Sequence, residues 1–171
     1  HPDTIIALEK NGQISKMSRG IYQLAGYEPS VHPDLVMVSL LAPRGVICLI
    51  SALAFHEATN EIPRHVDIAI PRQSRANVIK DPPGQEYLFG RQAWKEGIEE
   101  HRIDGHLVRI YSLAKTIADC FKFRNTIGIN IAREALKTAI AEKHIRPQEV
   151  MKYAAICRVS NIIKPILETL I

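Results

Sequence analysis

Residues 111–124, YSLAKTIADCFKFR, place a lysine and an aspartate four residues apart in an otherwise apolar stretch. An ammonium and a carboxylate at this spacing form an ion pair on a helix, and in a cleft they can move a proton or hold a substrate. Whether Lys115 and Asp119 make a site or a solvated face therefore bears on whether this chain is a catalyst or a binding protein.

The helical pattern of this stretch predicts that the pair lies on the outside. If Ser112 is the N-cap, the helix begins at Leu113. A helix advances 100° per residue, so Leu113, Ile117 and Phe121 lie on one side. Lys115 and Asp119 then point almost directly away from that side. An exposed i, i+4 pair contributes only about 0.3–0.5 kcal/mol. The residues alone thus predict a solvated face, with burial under the terminal helices as the alternative.

Two further carboxylates suggest an enzyme. Asp67 lies in HVDIAIP and Glu86 begins EYLF, both strand-like runs, and metal-dependent nucleases use paired carboxylates on strands. Such sites generally have a lysine two residues after the second carboxylate, where this chain has Leu88. No HExxH motif and no Gly-rich phosphate loop is present. We therefore expect no metal and no cofactor. A metal-dependent enzyme acting on nucleic acid or nucleotides is kept as the alternative to this prediction.

The sequence pattern of the first 28 residues is typical of half of a DNA-binding unit. HPDTIIALEKNG has helix start and stop signals, and QISKMSRGIYQLAG follows as two β-like runs joined near Gly20. A helix followed at once by a basic-tipped hairpin is typical of the second half of a winged helix-turn-helix. Candidate DNA contacts are Thr4 and Lys10 on the helix and Lys16 and Arg19 on the wing.

The segment RQSRANVIK forms a second group of cations, with Arg72, Arg75 and Lys80 in a predicted polar loop. A cationic loop after a strand can bind phosphate, of DNA or of a nucleotide, or meet an acidic protein surface. We predict these three residues as supporting DNA contacts.

The remaining pattern predicts an α+β protein. YEPSVHP reads as a linker, DLVMVSLLAP as a helix, GVICLI as a buried run, and SALAFHEAT as a helix capped by Ser51. GIEEHRIDGHLVRIYS predicts a hairpin that turns at Asp104–Gly105, and four helices follow at about 112–123, 129–143, 147–157 and 160–170. We therefore predict a partial winged helix over 1–28 and a mixed α/β domain over 33–171 that ends in a helical cluster.

Composition restricts the class further. The 171 residues include 22 basic and 18 acidic side chains, a net charge of +4 that leans towards an anionic partner. Three cysteines without CxxC spacing predict buried thiols in a reducing compartment rather than disulfides or a zinc site. No stretch reaches the roughly 20 apolar residues of a membrane span, and no secretory signal is present. These features predict a cytoplasmic protein without membrane contact.

Four motifs in order, SRGIYQL, GVICLISALAFHEAT, PRHVDIAI and VRIYSLAKTIADCFKFR, resemble the AbiEi family. These proteins are the antitoxin and transcriptional-regulator halves of type IV toxin–antitoxin systems associated with abortive infection of phage. The resemblance covers nearly the whole chain. Family members usually have further sequence ahead of this point that supplies the first helices of the winged helix, whereas this chain opens at the helix similar to the recognition helix.

The resemblance implies two activities and no catalysis. The winged helix would bind inverted repeats in its own promoter and repress the operon, and the larger domain would counteract a nucleotidyltransferase-type toxin. Lys-Thr-x-x-Asp belongs to the family pattern, so the resemblance implies that Lys115 and Asp119 take part in antitoxin activity or partner contact. A DNA-binding regulator with no toxin remains a further alternative.

Overall fold

The computed structural model describes residues 1–28 and 31–171 of the chain. They form two compact units, His1–Pro33 and Asp34–Ile171. Pro29 and Ser30, which belong to the predicted linker, lie outside the described residues. The protein is of mixed α/β composition, as its sequence pattern predicts.

The first unit is a helix followed by a two-stranded hairpin. Helix α1 (Pro2–Lys10) has Pro2 in its first turn, where the missing backbone N–H is of no consequence, and Asn11 as C-cap. Strands β1 (Ile14–Ser18) and β2 (Ile21–Leu24) pair antiparallel, and Gly20 takes a φ of +75° at their turn. The predicted helix and hairpin are both present.

The second unit is built on a six-stranded mixed sheet with the order β5-β6-β4-β3-β8-β7. Its strands are β3 (Val46–Ile47), β4 (Val66–Pro71), β5 (Ile79–Lys80), β6 (Pro83–Phe89), β7 (Ile98–Ile103) and β8 (His106–Tyr111). The pairs β4–β6 and β3–β8 are parallel, and the other neighbours are antiparallel. The predicted hairpin is β7–β8, with Asp104 and Gly105 both at positive φ in its turn.

Eight helices follow or connect the strands in the described residues from Pro33 onward. They are α2 (Pro33–Leu41), α3 (Leu49–Phe55), α4 (Arg91–Lys95), α5 (Leu113–Lys122), α6 (Arg124–Ile127), α7 (Ile129–Ala141), α8 (Pro147–Cys157) and α9 (Ser160–Glu168). The four predicted C-terminal helices are α5, α7, α8 and α9, and Pro147 lies in the first turn of α8. The short helices α4 and α6 were not predicted.

The alternation of side chains along the strands produces two apolar layers. Val66, Ile68 and Ile70 of β4 face a layer shared with α2. The opposite face, with Ala69 and Phe89, packs in the larger core with α5 and the helices that follow it. Helix α5 contacts α3, α7, α8 and α9, so it runs through the middle of this core. Every residue from Leu113 to Phe121 is buried as a result.

Two local predictions are wrong. Ser51 does not cap its helix, because α3 already begins at Leu49 with Cys48 as N-cap. The Ser51 hydroxyl instead accepts a hydrogen bond from the Asp67 N–H at 2.8 Å and donates to the His65 carbonyl, which ties α3 to β4. Lys80 lies in strand β5 and not in a loop, because Ile79 and Lys80 pair with the first residues of β6.

Candidate functional site

The Lys115–Asp119 pair lies in the centre of the second unit. Lys115 Nζ is 2.7 Å from Asp119 Oδ2, and both side chains are 0% exposed. The predicted solvated face is therefore wrong. Its error has a physical cause: the helical-wheel argument assumes that one side of a helix faces water, whereas α5 is covered on both sides.

Aromatic rings of the sheet surround the lysine. Its Nζ lies 3.8 Å from the centre of the Tyr111 ring and 5.1 Å from that of Phe89. The electron-rich faces of these rings stabilise an ammonium group that has lost its water. The backbone of Gly97 approaches closely from the turn before β7, so that a methyl group at its Cα would lie 2.6 Å from Lys115 Cβ.

The carboxylate of Asp119 connects α5 to the C-terminal helices. Its Oδ1 accepts a hydrogen bond from the Cys157 thiol of α8 at 3.2 Å. Burial raises the pKa of Asp119, and the Lys115 ammonium opposes that rise. Burial, with Asp119 nearby, also raises the pKa of the Cys157 thiol to about 12, so this thiol stays protonated and donates. The pair is thus a tertiary connection, the alternative that the sequence left open.

This burial restricts what the pair can do. With no exposed surface, neither Lys115 nor Asp119 is available to a partner while the core is closed. Buried charges that are paired and hydrogen-bonded hold neighbouring elements in one arrangement, and removing one partner leaves an uncompensated charge. A functional effect of either residue would therefore pass through the packing of α5 against α8.

The two strand carboxylates do not form a site together. Glu86 pairs in register with Ile68, so its side chain lies on the opposite face of the sheet from that of Asp67. Glu86 Oε2 accepts the backbone N–H of Asn77 at 2.7 Å, and Asp67 Oδ1 lies 2.9 Å from His65 Nε2. The alternative in which Asp67 and Glu86 form one paired-carboxylate site is therefore contradicted. Alternation along β4 and β6 separates the two groups.

Asp67 is nevertheless an unusual carboxylate. It is 2% exposed, and burial raises its pKa, while the nearby His65 and hydrogen bonds from the Ser51 backbone and the Tyr87 side chain oppose that rise. Burial and the nearby Asp67 carboxylate also raise the pKa of Tyr87. Asp67, like Lys115 and Asp119, thus joins neighbouring elements of the core.

The candidate DNA contacts of the first unit are all exposed: Thr4, Lys10, Lys16 and Arg19. Lys16 lies on β1, and Arg19 lies in the turn that joins β1 to β2. Lys10 follows Thr4 by six residues, so their side chains point about 120° apart around α1. The two hairpin cations, Lys16 and Arg19, are exposed, whereas the two helix residues do not share one face.

Arg72, Arg75 and Lys80 are also exposed, but they follow different elements. Arg72 comes directly after β4, where its N–H bonds to the Phe89 carbonyl, and Lys80 is held in β5. Arg75 lines a cavity of about 350 Å³ together with Arg44, a residue that the sequence did not single out. No spacing signal joins these two arginines, because the fold brings together the loops before β3 and after β4.

Neither a metal site, nor a membrane-spanning helix, nor a family match is found for the described residues or the sequence. Across residues 1–28 and 31–171, no group of three His, Cys, Asp or Glu side chains is arranged to hold a metal ion. In the same residues, no helix combines the length and apolar character needed to span a membrane. No protein-family model matches the chain, and no curated protein matches it.

Proposed function

We propose that this chain is a cytoplasmic antitoxin and autoregulator of the AbiEi type. In this proposal it counteracts a nucleotidyltransferase-type toxin and represses its own operon by binding inverted repeats in promoter DNA. The proposal rests on the order of the four sequence motifs and on the properties of the two units. It assigns no catalytic residue and no cofactor.

The observation that carries the proposal is the helix–hairpin unit with its exposed wing cations. A winged helix binds DNA by placing a helix in the major groove while the hairpin contacts the phosphate backbone. Lys16 and Arg19 are exposed on the hairpin, next to a helix with no buried residue. This arrangement supports a recognition helix and wing, with phosphate contacts on the wing.

The second unit supports antitoxin activity through its packing and not through an exposed pair. Asp119, paired with Lys115, connects α5 to Cys157 of α8, and the family pattern includes both Lys115 and Asp119. We infer that they keep the surface that acts against the toxin correctly folded. Variants at these positions should then lose activity in proportion to their loss of folded protein.

Growth rescue tests this proposal. A neighbouring nucleotidyltransferase-like gene is expressed with the parent chain and with Lys115→Ala, Asp119→Ala and Ile163→Ala variants. Ile163 is fully buried and uncharged, so its alanine variant is a control for lost packing without lost charge. We expect rescue by the parent, and in the three variants we expect rescue that follows the amount of folded protein.

Two results would oppose the proposal in different ways. A folded and abundant parent chain that fails to rescue growth contradicts antitoxin activity and favours a regulator without a toxin. Rescue lost in the Lys115 or Asp119 variants at a folded level where the Ile163 variant still rescues would assign the pair a direct role.

A further inference from the structure

The cavity that contains Arg44 and Arg75 lies at the end of the sheet where β4 and β6 finish. It has a volume of about 350 Å³, which falls at the small end of the range for ligand pockets. Three segments form it: the turn between α2 and β3, the loop after β4, and Glu86 of β6. The site is distinct from the helix–hairpin unit and from the buried ion pair.

The two arginines outnumber the single lining carboxylate, that of Glu86, and give this cavity a net positive charge. Among the described residues, neither guanidinium lies within ion-pair distance of a carboxylate. Guanidinium groups bind phosphate oxygens in a fork geometry, so a cavity lined by two arginines suits a phosphate group.

The turn that carries Arg44 is held in place from two sides. Arg109 donates hydrogen bonds from Nη2 to the carbonyls of Pro43 at 2.9 Å and Gly45 at 3.5 Å. Gly45 lies so close to β4 that a methyl group at its Cα would overlap Ile68 Cγ2. The Arg44 guanidinium also lies 6.0 Å from the centre of the Trp94 ring, which favours a fixed position.

The other residues that line the cavity can bind the hydroxyl, amine and apolar parts of a ligand as well as its phosphate. Glu86 uses one oxygen to hold the Asn77 N–H, so its other oxygen can accept a bond from a ligand hydroxyl or amine. Gln73 and Asn77 add amide groups, and Ile70 adds an apolar wall. Ser74 also lines the cavity, and its hydroxyl is buried without a hydrogen-bond partner among the described residues. A ligand oxygen would satisfy that hydroxyl after rotation about its single side-chain torsion.

From these groups we infer that the cavity binds a nucleotide. The phosphate lies on Arg44 and Arg75, and a sugar hydroxyl or base amine donates to Glu86. The ligand is a free nucleotide or an unpaired nucleotide of a strand, because both present the same chemistry. This inference does not depend on the operator or on the toxin.

Titration of the full chain tests the site, with the fluorescence of Trp94, the single tryptophan, as the readout. The probes are the four nucleoside monophosphates, ribose 5-phosphate, pyrophosphate, a short single-stranded RNA and duplex DNA. The variants are Arg44→Ala and Arg75→Ala, with Arg133→Ala as control for the loss of one exposed positive charge outside the cavity. Calorimetry repeats each titration, since Arg44 is close to the fluorophore, and urea midpoints establish that the variants are folded.

We expect Arg44→Ala and Arg75→Ala each to weaken nucleotide binding by about tenfold or more, the effect of losing one charge-assisted bond, with Arg133→Ala unchanged. Binding of free monophosphates identifies the free nucleotide as the ligand, and binding of the RNA alone identifies the strand. Glu86→Gln should reduce the preference for nucleotide over pyrophosphate. The inference is overturned if no probe binds at millimolar concentration, if folded Arg44 and Arg75 variants bind like the parent, or if pyrophosphate or ribose 5-phosphate binds as tightly as every nucleotide.

Discussion

Lys115 Nζ and Asp119 Oδ2 lie 2.7 Å apart with no exposed surface on either side chain. Removing one member should leave an unpaired buried charge, so Lys115→Met or Asp119→Leu alone should lower the free energy of unfolding by about 3–5 kcal/mol. The double variant replaces both charges with apolar groups of similar size, and it should lose much less than the sum of the single losses. Urea unfolding of the four proteins measures this coupling.

If the double variant loses as much unfolding free energy as the two single variants together, the result contradicts a buried pair. A surface pair of the same spacing contributes only about 0.3–0.5 kcal/mol, so the two arrangements differ by far more than the error of the measurement. Glu149 and Arg146, an exposed pair three residues apart with 3.1 Å between Nη2 and Oε1, provide the matched surface cycle.

Gly97 and Gly105 differ in their surroundings and not in their backbone. Their φ angles are +80° and +77°, but a methyl group at Gly97 would lie 2.6 Å from Lys115 Cβ, whereas nothing lies within 4 Å at Gly105. Gly105→Ala should therefore lower the free energy of unfolding only by the cost of a positive φ, about 1–2 kcal/mol. Gly97→Ala should lower the free energy of unfolding by about 1–3 kcal/mol more, because Lys115 must move. Thermal or urea unfolding measures the difference, and equal losses at both positions would contradict the close approach.

Asp67 should make stability depend on pH in a defined direction. Burial raises its pKa in the folded protein, so between the ordinary carboxyl value of about 3.9 and the raised value the folded chain holds a proton that the unfolded chain has released. The contribution of Asp67 to the free energy of unfolding is therefore greatest below this window and falls as pH rises through it. Asp67→Asn should remove that fall.

Urea unfolding across pH 4–7 tests the Asp67 prediction by comparing the pH slopes of parent and variant. Glu61→Gln is the matched control, because Glu61 is exposed. The slope should change in the Asp67 variant and stay the same in the control. A parent slope retained in Asp67→Asn would assign the pH dependence to other groups.

Lys16 and Arg19 should act on DNA binding through phosphate. Replacing both with Ala should weaken binding to inverted-repeat promoter DNA and reduce the slope of log K against log salt by about 1.8, or 0.9 for each lost phosphate contact. Fluorescence anisotropy at several salt concentrations measures both quantities. The control is Arg133→Ala with Lys137→Ala, two exposed cations of α7. Unchanged affinity and slope in the wing variant would remove the hairpin from the proposed interface.

Local signals predicted much of this fold. The turn at Asp104–Gly105 and the four C-terminal helices depend on patterns of nearby residues, and each appears where expected. Short elements were missed for the same reason. Helix α4 has five residues, too few to show a period, and β5 has two.

Features that depend on distant parts of the chain were not predictable in this way. The burial of Lys115 requires that α8 cover one side of α5 while α3 and α7 cover the others. Likewise, Arg44 and Arg75 share a cavity only because β3 lies beside β4. The separation of Asp67 from Glu86 depends on strand register, which one-dimensional spacing does not contain.

The short strand β3 has a consequence for synthesis of the protein on the ribosome. Its two residues lie between β4 and β8, and Ile47 pairs with Ile110, which is translated long after it. Until Ile110 leaves the exit tunnel, the growing chain holds β3 and β4 with one open edge and without α5 to cover the larger core. The pairing of β3 with β8 and the packing of α5 in the larger core therefore form only after these later residues have been synthesised.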